Sequence, residues 1–372
     1  MRFVCTQENL NSVLNIVARA VTKDNTLPIL GNILIKTEDG GLRLAATNLE
    51  IGVRTIVRGR VEEEGEFTVP AKLLVDYVNN LPKERITLRQ KENTLEIETK
   101  QNTAKLQGSA ADEFPLIPVV QDKKVADVLI SDLKISLQQT VFAAAQDTSR
   151  PEIAGLYIGF EDNQLRIAGT DSFRLAEKIM SAKNVATDES PIILPTRAAQ
   201  ELSRILDSST EREETVAIYL SQNQILFKFG DIEFTSRLVE GKFPDYQQII
   251  PQEFNTDAVV DQDTLTRALK TTGLFARTGS NQLNLTFDGE HKKLQLAARA
   301  DQLGENQAEV PAKVTGRTET IVLNYQYLLD GLAAVSAQEV TLKINDTQNP
   351  IMLKSHGTGK GGFLYLIMPI KA

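Results

Sequence analysis

Residues 33–54, ILIKTEDGGLRLAATNLEIGVR, align with residues 156–177, LYIGFEDNQLRIAGTDSFRLAE, so the chain repeats itself at a distance of 123 positions. Leu42, Arg43, Ala45 and Thr47 recur as Leu165, Arg166, Ala168 and Thr170, and a looser third copy occupies residues 283–309. Each copy alternates apolar and polar residues around a turn such as EDG or EDN, the pattern of antiparallel strands. No other feature limits the fold so strongly. The period is far longer than the roughly 20–50 residues of a solenoid repeat, so each copy must build a core of its own.

The flanks of the copies repeat as well. Upstream lie a strand and an amphipathic helix: residues 7–21, 131–146 and 261–277. Leu10, Val13, Leu14 and Val17 follow the spacing of one helix face, as do Leu133, Leu137 and Val141. Ser131 and Asp261 read as N-caps. Downstream, residues 67–81, 192–206 and 321–335 each read as a strand running into a helix, with Pro70 and Pro195 at the helix entrance. More alternating strands follow. The expectation is an α+β chain of three tandem domains, 1–120, 121–250 and 251–372, with linkers near 115–127 and 249–258.

Composition argues against most catalytic classes. The 372 residues include two histidines, His291 and His356, and one cysteine, Cys5, which leaves neither a His–Cys metal site nor an internal disulfide. No HExxH, CxxC, GxSxG or GxxxxGK[ST] pattern occurs, and in SHGTGKGG (355–362) Lys360 precedes glycine, which makes a surface turn the better reading than a phosphate loop. The start, MRFVCTQENLNSV, lacks a signal-peptide pattern and no apolar run is of membrane-spanning length, so the expected location is the cytoplasm. The net charge is −8, yet the six helical segments together carry +1, which leaves −9 elsewhere. Helices that are neutral to basic on an otherwise acidic protein suit a chain whose helices alone face phosphates.

The three-repeat plan, together with TLPILGNILI (26–35), AGTDSFRLA (168–176), FTSRLVEGKFPDY (234–246) and the terminal MPIKA (368–372), resembles the bacterial sliding clamp family, the beta subunit of DNA polymerase III. The resemblance covers essentially the whole chain. It implies a ring-shaped homodimer with antiparallel sheets outside and two helices per domain lining a central hole around duplex DNA. Such a ring is a processivity factor for replication and not an enzyme, with no cofactor. Geometry gives a separate check on the dimer. Six helices spaced ~10 Å apart close a circle only about 19 Å across, and twelve close one of about 38 Å. Subtracting a helix diameter of ~10 Å leaves holes of about 9 Å and 28 Å, of which only the second admits a duplex.

Residue roles are also implied by the resemblance. DNA contacts fall to Lys23, Lys72, Arg150, Arg197 and Arg204. A partner-peptide cleft between the second and third repeats takes Ile153, Thr170, Ser172, Phe173, Arg174, Leu175, Pro244, Gln248, Ile249, Leu366, Met368, Pro369, Ile370 and Lys371. Ser172 and Phe173 stand where the family carries glycine and histidine, and Gln248 where a basic residue is common. Ala104 and Leu106 on a first-repeat edge strand would meet Leu274 and Phe275 of a second subunit. The implied partners are DNA, the replicative polymerase, the clamp loader and other clamp-binding repair proteins. Two other classes remain open to test: a carboxylate-based hydrolase, and a β-rich scaffold that binds only proteins.

Overall fold

The computed structural model describes the chain except for residues 23–26, 39, 119, 121–122, 148, 209–214, 277–280, 303, 358–361 and 371–372. The first repeat runs β1 (Arg2–Thr6), α1 (Gln7–Val17), β2 (Asn32–Glu38), β3 (Gly41–Thr47), β4 (Ile51–Arg58), β5 (Arg60–Glu63), β6 (Glu66–Pro70), α2 (Ala71–Asn79), β7 (Arg85–Lys91), β8 (Thr94–Glu98) and β9 (Thr103–Gln107). The second runs β10 (Lys123–Leu129), α3 (Ile130–Thr140), β11 (Gly155–Glu161), β12 (Gln164–Thr170), β13 (Arg174–Ser181), β14 (Ile192–Pro195), α4 (Thr196–Ser208), β15 (Thr215–Ser221), β16 (Gln224–Phe229) and β17 (Ile232–Arg237). The third repeats that order: β18 (Thr256–Asp261), α5 (Gln262–Ala276), β19 (Gln282–Asp288), β20 (Lys293–Ala300), β21 (Gly304–Thr315), β22 (Glu319–Asn324), α6 (Tyr325–Ala334), β23 (Glu339–Ile344), β24 (Ile351–Ser355) and β25 (Phe363–Ile367).

The sequence repeat and the compact unit do not coincide. One unit holds residues 1–134, 182–186 and 197–238, and the other holds 135–181, 187–196 and 239–372, so the division passes through the second repeat. In the first unit, an eight-stranded sheet runs β10-β15-β16-β17-β4-β3-β2-β6, and a five-stranded sheet runs β5-β1-β7-β8-β9. Antiparallel pairing of β17 with β4, Phe234 opposite Val53, carries the larger sheet across the first repeat boundary. In the second unit, a twelve-stranded sheet runs β14-β11-β12-β13-β25-β24-β23-β18-β21-β20-β19-β22. There β13 pairs with β25, from Arg174 opposite Ile367 to Lys178 opposite Phe363. Each repeat boundary is therefore sealed by backbone hydrogen bonds.

The repeated phrase has a repeated structure. Arg43 Nε donates to Glu38 Oε2 at 2.6 Å across the β2–β3 hairpin, and Arg166 Nε donates to Glu161 Oε1 at 2.7 Å across β11–β12. Diagonal pairs of opposite charge suit a two-stranded register. The apolar residues between them face inward: Leu42, Leu44, Leu165 and Ile167 are all buried.

Helices begin where local chemistry lets them. Thr6 accepts the Asn9 N–H at 3.3 Å, Asp261 accepts the Thr264 N–H at 2.8 Å, and Asn324 accepts the Gln326 N–H at 2.9 Å. Each satisfies a donor that the first turn leaves free. Ser131 does not cap: α3 already begins at Ile130, so Ser131 lies inside the first turn, 3.4 Å from Asp132 Oδ1. In the first unit, Leu10, Leu14 and Val17 of α1 and Leu74 and Val78 of α2 are buried, and Gln7 Nε2 ties the two helices through Val78 O at 2.8 Å. In the second, Leu265 and Leu269 of α5 and Leu328 and Leu332 of α6 pack with Leu285, Leu296 and Tyr365. Gly331 makes the last contact feasible, since a Cβ there would meet the Tyr365 ring at 2.4 Å.

Among the described residues, no helix is long and apolar enough to cross a membrane, and no three His, Cys, Asp or Glu side chains group as metal ligands would. Burial pushes the Cys5 thiol up to about 12, which keeps it protonated and inert.

Candidate functional site

The turn between β12 and β13 sets the centre of the site. Thr170 Oγ1 donates to Arg174 O at 2.6 Å and accepts the Ser172 N–H at 3.1 Å. Asp171 Oδ1 accepts the N–H groups of Phe173 and Arg174 at 2.9 and 3.0 Å. Side chains that bond to backbone a few residues on fix such turns locally. The first repeat builds the same turn: Thr47 Oγ1 donates to Ile51 O at 2.9 Å, and Asn48 Oδ1 accepts the Glu50 and Ile51 N–H groups at 3.0 and 2.8 Å. Both turns need a left-handed residue, Leu49 at φ 73° and Ser172 at φ 77°. Glycine would take this conformation without strain, whereas Ser172 and Leu49 hold it against their side chains.

Beside this turn lies a small cavity of ≈ 150 Å³. Ile153, Thr170, Leu175, Pro244, Ile249 and Leu366 line it, with Arg150, Ser172, Arg174, Asp245, Tyr246 and Met368 completing its wall. Pairing of β13 with β25 puts Leu175 opposite Leu366, and both are buried. A second cavity, ≈ 520 Å³, shares Ser172 and Met368 with the first and adds Phe173, Asn324, Tyr327, Pro369 and Ile370. The terminal segment is held along it by backbone bonds from Met368 N to Phe173 O and from Ile370 N to Val322 O, each 2.8 Å. Phe173 on the larger cavity is 61 % exposed and Ile249 on the smaller one 47 %, so each cavity presents an apolar side chain to solvent.

Charges anchor the walls. Arg174 donates to Asp171 at 3.0 Å and to Asp330 at 2.5 Å, and its guanidinium stands 4.5 Å from the Tyr327 ring centroid. Behind the small cavity, Tyr246 Oη donates to Glu177 Oε2 at 2.7 Å, and Arg166 Nη1 donates to the same oxygen at 2.8 Å. Burial first, and the Glu177 charge second, push the Tyr246 phenol well above its usual range. The hydrogen bond to Glu161 is the chief cause holding the Arg166 guanidinium above its ordinary value, against the opposing effect of burial. These groups are engaged in holding structure, and the cavity surfaces themselves are mainly apolar.

Twelve residues assigned to the cleft from sequence therefore line one of the two cavities. Gln248 does not: its amide donates to Asp245 Oδ2 at 2.7 Å. Lys371 lies outside the described residues. Sequence reasoning missed Asp245, Tyr246, Asn324 and Tyr327, of which only the first two carry a signal, the phrase FPDY.

Of the residues assigned to DNA, Lys72 on α2 and Arg197 on α4 are exposed. Arg204 is paired with Glu201 at 2.5 Å. Arg150 sits at the wall of the small cavity, with Nη1 donating to Ser172 Oγ at 2.9 Å and Nε 3.3 Å from Glu152. Lys23 lies outside the described residues. Of those assigned to a dimer contact, Leu274 is 54 % exposed, and Phe275 and Ala104 are half-buried. Leu106 is 4 % exposed, because β9 turns it into its own sheet.

Fold and site define a class: three-repeat α+β proteins whose sheets run unbroken through the repeat boundaries and whose apolar cleft lies beside the last strand. Comparison with known proteins gives the family. The models of the N-terminal, central and C-terminal domains of the DNA polymerase III beta subunit match residues 1–118, 128–245 and 247–371, in that order. The chain is 34 % identical over 375 residues to the beta sliding clamp of Synechococcus elongatus, and 30 % identical over 393 residues to that of a Synechocystis species. Each alignment covers 100 % of this chain and 99 % of the relative. Solved structures of the DNA polymerase III beta subunit from Thermotoga maritima (26 % identity, TM-score 0.92, covering 100 % of this chain and 99 % of that one) and Pseudomonas aeruginosa (29 %, 0.91, 100 % of both) share the fold. The chain belongs to the DNA polymerase III beta subunit family. It is a sliding clamp of DNA replication, a processivity factor and not an enzyme.

Proposed function

We propose that two copies of this chain close a ring around duplex DNA in the cytoplasm and hold the replicative polymerase there. The carrying observation is that all three family domains match in order along the chain. In this reading the domains divide as 1–120, 121–250 and 251–372. Twelve helices then face the DNA, contributing Lys72, Arg197 and Arg204, with Lys23 and Arg150 nearer the rim. The weak positive charge of the helices favours sliding. Each phosphate neutralised would add attraction and salt dependence, so a tight grip would slow the ring.

Two open strand edges support the dimer. β9 is one edge of the five-stranded sheet, and among the described residues the first half of β21 pairs with β20 on one side alone. Pairing these edges between subunits would satisfy backbone groups that otherwise invite aggregation. Leu274 and Phe275 would pack beside Ala104, while Leu106 supports the edge from within its own sheet.

The two cavities of the cleft would receive a short peptide with aliphatic and aromatic side chains from the polymerase, the clamp loader or repair proteins. Met368 and the aliphatic lining re-pack readily around different peptides. The test is synthesis on a primed circular template with polymerase, loader and ATP. Product tracts should lengthen when the chain is added, and unchanged tract length would refute the tethering role.

A further inference from the structure

Three cavities share walls in series in the second unit. The larger and smaller cavities of the cleft meet at Ser172 and Met368. Beyond the smaller one, across Pro244, Asp245 and Tyr246, lies a third of ≈ 480 Å³. Its floor is aromatic. Tyr157 lies 5.6 Å from both Phe243 and Tyr246, and Phe243 meets Tyr246 edge-on at 5.9 Å and 89°. Ile193 backs the floor, and the Val239 N–H to Ile193 O bond of 2.9 Å fixes the start of the loop that forms the wall. Gly241, at φ 130°, lets that loop turn.

Two of the polar side chains around this cavity are already engaged. The Tyr246 hydroxyl belongs to Glu177, and the Asp245 carboxylate takes the Gln248 amide. Lys242, exposed at the mouth beside Ser190 and Pro191, has no partner among the described residues. The third cavity therefore offers aromatic faces and one free cation. A volume of this size accommodates an aromatic side chain and its neighbour.

We propose that this cavity is a third subsite, taking an aromatic side chain and an adjacent carboxylate from the segment that flanks the cleft-bound part of a partner peptide. This rests on the reading of the cleft as a partner-peptide site. An extended chain advances roughly 3.3 Å per residue, so a peptide leaving the small cavity over the Pro244–Tyr246 wall reaches the third within a few residues. Incoming aromatic rings gain from edge-to-face contact with the trio on the floor. The carboxylate meets Lys242, while Asp245, held by Gln248, lies on the side shared with the cleft.

The protein contains no tryptophan, so a tryptophan in the peptide reports its own surroundings. The core probe is acetylated, amidated Ser-Leu-Ser-Leu-Phe. The extended probes add Asp-Trp-Gly before it or Gly-Trp-Asp after it. One extended probe should bind about tenfold more tightly than the core, with blue-shifted emission. Lys242→Glu and, separately, Ser190→Phe should abolish that gain and leave core binding within twofold. Equal affinities for all three probes overturn the subsite, as does a gain that survives both substitutions. Failure of the core probe to bind the unaltered protein overturns the cleft reading and the subsite with it.

Discussion

Replacing Tyr246 with phenylalanine removes one hydroxyl and keeps the ring that walls the small cavity. That hydroxyl donates to Glu177 Oε2 at 2.7 Å, and the Glu177 side chain is 5 % exposed. Arg166 still reaches the same oxygen at 2.8 Å, so the substitution weakens a buried carboxylate's shell without leaving the charge alone. A hydrogen bond to a charged group contributes about 1.5–3 kcal/mol, and the retained partner puts Tyr246→Phe near 2 kcal/mol. A chain of several domains does not unfold in one step, so local opening is the better readout. Hydrogen exchange of the β13 amides should quicken by about 30-fold, the equivalent of ~2 kcal/mol. Glu177→Gln combined with Tyr246→Phe should show a coupling of about 1–2 kcal/mol. Peptide binding to the cleft should stay within threefold, because the cavity wall is unchanged. Exchange altered by less than twofold, or absent coupling, would refute the view that this network braces the cleft.

Phe173→Trp places a lone tryptophan at the exposed rim of the larger cavity, and its emission should shift to the blue when the core peptide is added; an unshifted spectrum at saturation would remove Phe173 from the contact. Leu274→Asp puts a charge on an exposed apolar position, and sedimentation should report a single chain of 41.1 kDa where the unaltered protein, as the proposed dimer, should sediment at about twice that; a persistent dimer would place the interface elsewhere. The Asp288 carboxyl is held below its usual range chiefly by the His291 N–H, with the imidazole adding to the effect. Its contribution to the β19–β20 turn is complete above the ordinary carboxylate pKa of about 4 and is lost as pH falls through the lower folded value. The protection of the turn amides, taken against the intrinsic exchange rate at each pH, should fall on acidification in the native chain and lose that dependence in Asp288→Asn.

Local features of this structure were legible in the sequence, and long-range ones were not. The Asp261 cap depends on a side chain bonding to backbone within four residues, so its residue type announces it; the Thr170–Asp171 turn uses the same chemistry but was not read from the sequence. The apolar alternation of β2–β4 and β11–β13 gave both hairpins and their buried faces. Ser131 misled because a strand runs straight into α3, with Leu129 where a capping side chain would stand. Pairing of β4 with β17 and of β13 with β25 joins edges from different repeats, and no local pattern encodes which edge meets which. Asn324 and Tyr327 reach the cleft from the start of α6, remote in sequence from Ser172 and Phe173 beside them, so only the assembled sheet reveals them. Leu106 was named for an interface, yet its strand turns it inward.

The central claim is topological: DNA is held because the ring is closed. The direct measurement loads the protein on nicked circular DNA with clamp loader and ATP in moderate salt, then follows retention before and after the circle is cut. The account predicts retention on the circle and release through the free ends once it is cut. Retention that survives cutting would mean that contacts hold the DNA, and would contradict the account.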